Sequence, residues 1–178
     1  MYMKLSSLFF ALCVSLVLIS CGPTGAQVQG LCLDEKFDKE IASTIRFTVP
    51  IIGVEELEAN QSSFVVFDTR KKEEFEVSHI PGASYLGYKD FDERRLEGTP
   101  KDAKIVLYCS IGYRSEKIAQ RLQTLGYQNV FNLYGRIFEW SNRSLPMEDK
   151  NGETTTKVHT YNKTWSKWVD EQKAEKVW

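Results

Sequence analysis

The sequence is poor in the residues that most often build metal sites. It has two histidines and four cysteines among 178 residues, and the cysteines are not clustered. Metals in proteins are usually held by closely spaced cysteine and histidine ligands, so we expect no metal site, and nothing in the sequence indicates a cofactor. Internal repeats and low-complexity segments are also lacking, and the length suits one domain of ordinary size.

An excess of charge of one sign is lacking too. The net charge is −1, acidic and basic residues are mixed along the chain, and no run is rich in lysine and arginine. Proteins that bind nucleic acids usually carry such a basic run or patch. We therefore expect no nucleic-acid partner.

The sequence contains a single long apolar run. It covers residues 8–19, follows Lys4, and ends in Leu18-Ile-Ser-Cys21. The run is too short for a comfortable membrane span, and its position predicts a signal peptide over residues 1–20. The tetrapeptide resembles a bacterial lipoprotein box, which implies that Cys21 becomes the lipidated first residue. The alternative is an ordinary signal peptide with an incidental cysteine.

A lipidated Cys21 would anchor the protein to a membrane, because two or more acyl chains give stable attachment. We therefore expect an exported protein of the bacterial cell envelope, facing the periplasm or the cell surface. Residues 21–47 begin as a flexible tether and are expected to form a short helix at 34–45. We interpret Cys32 as a packed residue; a disulfide with Cys109 or with another chain is the alternative.

Residues 48–146 alternate between short apolar segments and segments with helical spacing. Strands are predicted at 48–52, 64–67, 84–86, 105–108 and 130–133, and helices at 54–59, 89–96, 115–125 and 137–142, with a helical turn at 72–75. This alternation predicts an α/β domain with a parallel sheet that is covered by helices on both faces.

The stretch around Cys109 combines several features of a nucleophile. Cys109 follows the predicted strand, and the loop after it contains Gly112 and Arg114 and leads into a helix. A helix N-terminus favours an anion, and arginine adds a permanent cation, so a thiol there should ionise easily. The simpler interpretation, a buried small apolar cysteine, does not account for the strand, glycine, arginine and helix occurring together.

Four ordered motifs carry a resemblance to single-domain rhodaneses. They are Asp68-Thr-Arg70 with Glu74-Phe75, His79-Ile-Pro-Gly-Ala83, Cys109-Ser-Ile-Gly-Tyr-Arg-Ser115 and Leu133-Tyr-Gly-Arg-Ile-Phe-Glu-Trp140. The resemblance spans about residues 48–146 and implies a central, mostly parallel five-stranded sheet. Two positions depart from the family pattern, since Ser78 and Arg136 stand where glycine is usual; we expect both to lie away from the nucleophile.

The resemblance implies a sulfurtransferase. Cys109 would take sulfur from a small anionic donor such as thiosulfate, hold it as a persulfide, and pass it to cyanide, a thiol or a protein acceptor. The substrate-binding loop would consist of Ser110, Ile111, Gly112, Tyr113, Arg114 and Ser115. Its N–H groups and arginine would stabilise the persulfide and the donor.

Other residues near these motifs are expected to support the site. Asp68 and Arg70 should form a salt bridge that holds the neighbouring loop, and His79 should make a structural hydrogen bond. Within the loop, we expect Ser110 and Ser115 to be hydrogen-bond donors, with Ser115 also capping the helix, and Tyr113 to lie at the rim. The next two residues, Glu116 and Lys117, are expected on a solvated helix face.

Residues 147–178 form a tail beyond the resemblance. Val158, Tyr161, Trp165 and Trp168 recur at helical spacing, which predicts an amphipathic helix that packs on the domain; contact with a partner or a membrane is the alternative.

Two other functions remain open at the level of sequence. One is a phosphatase or arsenate reductase, since some phosphatases share a Cys-Arg anion loop; these place five residues between cysteine and arginine, whereas this chain has four, 110–113. The other is a rhodanese-like module that binds a partner or carries a persulfide without turnover. The presence of both Cys109 and Arg114 argues against an inactive domain.

Overall fold

A computed structural model describes residues 30–178 of the chain. The predicted signal peptide and Cys21 lie outside the described residues. Within the described part, no helix has both the length and the hydropathy needed to cross a membrane.

The described chain contains five α-helices and seven strands. The helices are α1 (Glu35–Thr44), α2 (Val54–Ala59), α3 (Lys72–Val77), α4 (Tyr113–Thr124) and α5 (Arg136–Asn142). The strands are β1 (Ile51–Ile52), β2 (Val65–Asp68), β3 (Ser84–Tyr85), β4 (Lys104–Tyr108), β5 (Asn129–Leu133), β6 (Lys157–His159) and β7 (Glu175–Val177). The first five strands form one sheet in the order β1-β5-β4-β2-β3, and every pairing in it is parallel. The predicted α/β fold with a parallel five-stranded sheet is confirmed.

The central strand β4 shows why both faces of the sheet are covered. Val106 and Tyr108 point into one buried apolar cluster, and Ile105 and Leu107 point into another. Because side chains alternate along a strand, a continuous apolar segment requires packing on each face. Helices α1, α2 and α5 contribute to the first cluster, and α4 contributes to the second.

The segment before the sheet belongs to the packed structure. Helix α1 begins after Asp34, whose carboxylate accepts hydrogen bonds from the backbone N–H groups of Lys36 and Phe37. Phe37 and Ile41 on this helix are buried in the first apolar cluster. The predicted helix laid against the domain is therefore confirmed.

The predicted polar helix at 89–96 is shorter than expected. Only Glu93–Leu96 is helical, as a 3-10 turn that Asp92 caps by accepting from the N–H of Arg94. Leu96 is the one buried residue of this turn. Phe91 is the other apolar side chain of the predicted range and packs only partly buried against the core, so the segment lacks the continuous buried face that stabilises a longer helix.

The predicted amphipathic helix of the tail is wrong. The structure has instead strand β6, a 3-10 turn at Trp165–Trp168 and strand β7, with β6 and β7 paired in parallel. Tyr161 has a φ of 69°, a left-handed conformation that interrupts a helix. Val158 is nevertheless fully buried and Trp168 stacks on Phe37, so the apolar residues do pack on the domain.

Candidate active site

The carboxyl ends of three neighbouring strands bring the predicted site together. Strand β4 lies between β2 and β5, with Asp68 opposite Tyr108 and Asn132 opposite Leu107. The loops that follow these strands therefore meet at one edge of the sheet, where parallel α/β sheets usually bind ligands. Cys109 is the first residue after β4.

The loop after Cys109 folds back onto its sulfur. The backbone N–H of Gly112 donates to Sγ of Cys109 at 3.0 Å, and the hydroxyl of Ser115 lies 3.6 Å from the same sulfur. Gly112 has a φ of 93°, a conformation that glycine adopts without steric cost, and it directly precedes α4. The Cys109 sulfur thus lies at the N-terminus of a twelve-residue helix.

These groups oppose the effect of burial on the thiol. Cys109 is fully buried, which by itself would raise its pKa. The charges of Arg114 and Arg136 and the hydrogen bonds from Ser115 outweigh burial, and they lower the pKa of Cys109 below its ordinary value. A lower pKa means more thiolate, the nucleophilic form, at neutral pH.

Arg114 is fixed by a buried carboxylate that was not among the predicted site residues. Its two terminal nitrogens donate to Oε2 and Oε1 of Glu74 at 2.7 and 2.9 Å, a forked pairing that lysine cannot reproduce. Glu74 also accepts from the hydroxyl of Ser110. Burial would raise the pKa of Glu74, but its bonds and attraction to Arg114 lower it to about 2. In the sequence, Glu74 was visible only as part of a motif.

The two loop serines are hydrogen-bond donors, as predicted. Ser110 bonds Glu74 and receives a hydrogen bond from Arg114, and Ser115 donates to Oδ1 of Asn132 at 2.7 Å. The predicted helix cap at Ser115 is wrong. Helix α4 already begins at Tyr113, so Ser115 lies inside its first turn, with its side chain directed toward Asn132 and Cys109.

Asp68 and Arg70 form the predicted salt bridge. Both side chains are fully buried, and their closest nitrogen and oxygen atoms are 2.6 Å apart. Arg70 also donates to the carbonyl of Ser78 and lies over the ring of Tyr108, 5.7 Å from its centroid. Arg70 thereby joins the loop after β2 to the segment before His79 and to the end of β4.

His79 also makes the predicted structural contact. Its Nδ1 is 3.0 Å from the carbonyl oxygen of Phe75, and its ring stacks on that of Phe75. These contacts hold the turn in place, and they leave His79 outside the immediate surroundings of the Cys109 sulfur described above.

The predicted solvated face at residues 116–117 is wrong for Glu116. This carboxylate is buried and accepts hydrogen bonds from the backbone N–H groups of Arg46 and Thr48 and from the Thr48 hydroxyl. The partners lie about seventy residues earlier in the chain, beyond the reach of local pattern. Lys117, by contrast, is half-buried.

The prediction that both departures from the family pattern lie away from the nucleophile is also wrong. A Cβ on Gly112 would overlap the guanidinium of Arg136, so this buried group packs directly against the loop residue. Gly112 is the residue whose N–H donates to the Cys109 sulfur. Ser78 does contribute only to the turn, through its carbonyl group.

A cavity of about 530 Å³ opens beside the loop. Tyr113 and Arg114 contribute to its wall, as does Tyr161 from the tail, which lies 5.3 Å from Arg114 measured from the guanidinium carbon to the ring centroid. Tyr113 is exposed at this wall, in agreement with the predicted rim position. The remaining wall is rich in basic and aromatic side chains: Arg70, Lys71, Lys72, Glu73, Tyr85, Tyr88, Lys89 and Asp90.

A family model for the rhodanese-like domain matches residues 54–143. The chain belongs to the rhodanese-like family. The matched range contains β2, β4, β5, the Cys109 loop and both buried arginines of the site, Arg70 and Arg136.

Two relatives of this rhodanese-like chain show how the domain is used elsewhere. A sulfurtransferase from Allochromatium vinosum is 33% identical over 94 residues, which cover 53% of this chain and 87% of that protein. A tRNA uridine(34) hydroxylase from Bdellovibrio bacteriovorus is 33% identical over 97 residues, covering 52% of this chain but 27% of the hydroxylase. The chain thus spans about a quarter of the second relative.

The fold of the rhodanese-like domain also matches a solved structure. The thiosulfate sulfurtransferase from Pseudomonas aeruginosa superimposes with a TM-score of 0.52 at 22% identity, covering 57% of this chain and 20% of that one. At this identity the likeness concerns the fold.

The chemistry of the rhodanese-like site is that of a single thiol. Residues 30–178 contain no group of three histidine, cysteine or acidic side chains placed to hold a metal ion. Cys32 and Cys109 are both free thiols, and the alternative disulfide between them does not form in the structure. Cys32 packs in the first apolar cluster, as predicted. What the site offers is a thiol of lowered pKa with N–H donors and cations around it.

Proposed function

We propose that the protein is a sulfurtransferase that carries sulfur as a persulfide on Cys109. The Cys109 thiolate attacks the outer sulfur of a donor such as thiosulfate, and the bond between the two donor sulfurs breaks. Sulfite leaves with the bonding electron pair, and Cys109 retains the sulfur as a negatively charged persulfide. A second nucleophile, cyanide or a thiolate, attacks the outer sulfur and releases the Cys109 thiolate.

The observation that carries this proposal is the environment of the Cys109 sulfur. It accepts a hydrogen bond from the Gly112 N–H at 3.0 Å and lies close to Ser115 at the start of α4. Donors and cations already in position stabilise negative charge without reorganising during the reaction. The same groups suit the thiolate before transfer and the persulfide after it.

The neighbouring cavity supports an anionic donor and a larger acceptor. Basic side chains outnumber acidic ones along its wall, which includes Lys71, Lys72 and Lys89. Its volume of about 530 Å³ falls in the range of sites that take whole small molecules and far exceeds the size of a thiosulfate ion. A thiol compound or an exposed segment of an acceptor protein fits this space.

The spacing of the loop favours sulfur over phosphoryl transfer. Four residues separate Cys109 from Arg114, and the family match supports the same assignment. Arg114 is also paired through both terminal nitrogens to Glu74, which occupies the fork that a phosphate would use.

The proposal is tested by offering the protein both substrate classes. Purified, reduced protein should release thiocyanate from thiosulfate and cyanide, and should not hydrolyse an aryl phosphate. Cys109→Ser should neither release thiocyanate nor hydrolyse the aryl phosphate, since a hydroxyl has no comparable nucleophilicity at neutral pH. Turnover of the aryl phosphate without thiocyanate release, or thiocyanate release by Cys109→Ser, would exclude the assignment.

We also propose that Cys21 anchors the protein to a bacterial envelope membrane. The support is the apolar run at residues 8–19, which ends in Leu18-Ile-Ser-Cys21. The mature protein should partition into detergent, and Cys21→Ala should release it, while Cys32→Ala serves as the matched control. Recovery of the wild-type protein unmodified in the aqueous phase would refute the anchor.

A further inference from the structure

Arg136 combines two features that are each unfavourable. Its φ is 63°, in the left-handed region that residues with a Cβ rarely occupy, and it follows Gly135, whose φ is 81°. Its guanidinium is fully buried, although arginine keeps its charge at neutral pH. Such features persist where the surrounding structure or the function requires them.

The guanidinium also lacks hydrogen-bond partners. Within residues 30–178, none of the three nitrogens of the Arg136 side chain has one. The group lies against Gly112 and over the ring of Tyr134, 5.7 Å from its centroid. A buried cation without partners is costly unless a negative charge lies nearby.

The titratable groups with the largest electrostatic effect on Arg136 are Cys109, Cys32, Tyr134 and Glu116. Burial and neighbouring charge raise the pKa of the Cys32 thiol and of the Tyr134 hydroxyl, so both are neutral at neutral pH. Glu116 already accepts three hydrogen bonds from residues 46 and 48. Glu116 keeps its negative charge while it accepts these bonds, and of these two groups Cys109 has the larger electrostatic effect on Arg136.

Cys109 itself is faced by charged groups from two further elements. Arg114 on α4 is the other cation near its sulfur, and Glu74 on α3 binds that arginine and Ser110. Arg114 therefore shares its charge with a carboxylate, whereas Arg136 has none bonded to it among the described residues. Of these two cations, Arg136 is the one without a bonded carboxylate.

We propose that Arg136 is a positioning residue whose buried cation, packed behind Gly112, balances the negative charge of Cys109 as thiolate and as persulfide. It acts through the loop, because its guanidinium packs against Gly112, whose N–H donates to the Cys109 sulfur. The persulfide part of this inference rests on the proposed function, whereas the thiolate part does not.

The test uses three variants of Arg136, two that remove its charge and one that keeps it. Arg136→Met keeps the length of the side chain, Arg136→Gly also relieves the backbone conformation, and Arg136→Lys keeps the charge. Arg121→Gln is the control, because Arg121 is an exposed arginine on α4 that pairs with Glu93 on the surface. The readout is the ultraviolet absorbance of the Cys109 thiolate against pH, obtained by subtracting the same variant that also carries Cys109→Ser.

Both charge-free variants should titrate at higher pH, with about tenfold less Cys109 thiolate near neutrality, as expected for the loss of a nearby opposite charge. Arg136→Lys should titrate close to wild type, and Arg121→Gln should be indistinguishable from it. A folded charge-free variant with the wild-type titration would overturn the inference. So would failure of both charge-free variants to fold while Arg136→Lys folds, because Arg136 would then be structural.

The outcome is separable from that of the proposed function. The titration uses no sulfur donor, so a shifted titration together with absent sulfur transfer would refute the sulfurtransferase and leave the role of Arg136 intact. An unshifted titration together with normal sulfur transfer would refute the role of Arg136 and leave the sulfurtransferase assignment intact.

Discussion

Cys109 and Cys32 are both buried free thiols, yet their surroundings shift their pKa values in opposite directions. Burial and the charges of Glu139 and Asp38 raise the pKa of Cys32 far above its ordinary value. Burial also acts on Cys109, but Arg114, Arg136 and Ser115 outweigh it and lower the pKa.

The difference teaches that burial does not determine the chemistry of a cysteine. At Cys32 the nearby carboxylates oppose ionisation, and its own backbone N–H donates to Oδ1 of Asp38 at 3.3 Å. At Cys109 the sulfur itself accepts an N–H bond at the start of a helix. The identity and direction of the neighbouring dipoles and charges therefore separate a structural thiol from a reactive one.

The largest expected effect comes from removing each thiol in turn. Cys109→Ser should lose thiosulfate-dependent sulfur transfer entirely, because the nucleophile is gone. Cys32→Ser should retain activity within about twofold of wild type, because Cys32 only packs in the core and a conservative change leaves the loop in place. The assay is thiocyanate release at matched protein concentration. An inactive but folded Cys32→Ser would contradict the claim that Cys109 is the reactive thiol and Cys32 a structural one.

The next effect concerns the cation that faces Cys109 and the cavity. Arg114→Lys keeps the charge but cannot make the forked bonds to Glu74, so turnover should fall about 100-fold, the scale seen when one fixed donor is removed from an anion site. Steady-state sulfur transfer measures it, with Arg121→Lys on the exposed side of the same helix as the control. Wild-type turnover in Arg114→Lys would show that the forked bonds of Arg114 do not contribute to sulfur transfer and that Arg114 only packs the loop.

The third effect concerns stability and not turnover, and it should appear in the acid stability of the Cys109 region. The pKa of Glu74 is lowered from 4.5 to about 2, so its contribution is complete above pH 4.5 and is lost as the pH falls toward 2. Glu74→Gln should be destabilised by about 3 kcal/mol at neutral pH, because it leaves Arg114 without its carboxylate. It should also lose part of the acid dependence of the wild type.

Denaturant unfolding over a pH series measures this contribution. Glu73→Gln is the matched control, since Glu73 is its exposed neighbour and pairs with Lys71 at the surface. That control should change stability by less than about 0.5 kcal/mol. Equal stability of the two variants at neutral pH would show that the buried pair does not support the loop.

The smallest effect is expected at Cys32. Asp38→Asn removes one of the two carboxylates that raise its pKa, but burial, the largest cause, remains. The variant should therefore show no thiolate at Cys32 at neutral pH, measured by ultraviolet absorbance against the same variant carrying Cys32→Ser. Appearance of a thiolate there would mean that the carboxylates, and not burial, keep Cys32 protonated.

Local pattern predicted the parts of the site that depend on local structure. The apolar run of β4, the glycine and the start of α4 are neighbours in sequence, so the position of Cys109 and its loop followed from them. Asp68 and Arg70 are two positions apart in the sequence, so their salt bridge was equally predictable from local pattern.

The parts that were missed depend on contacts between distant segments. The partners of Glu116 lie near residue 47, and Arg136 reaches the loop through tertiary packing of α5. In the tail, the helical spacing of apolar residues was real, but the left-handed conformation at Tyr161 redirects the chain. Periodicity alone does not reveal such a backbone conformation.

The most direct test of the central claim is to expose the reduced, folded protein to thiosulfate and measure the mass of the peptide around each cysteine. The account predicts that the Cys109 peptide gains the mass of one sulfur atom, that cyanide removes it, and that the Cys32 peptide is unchanged. Sulfur on Cys32 in the folded protein, or none on Cys109, would contradict it.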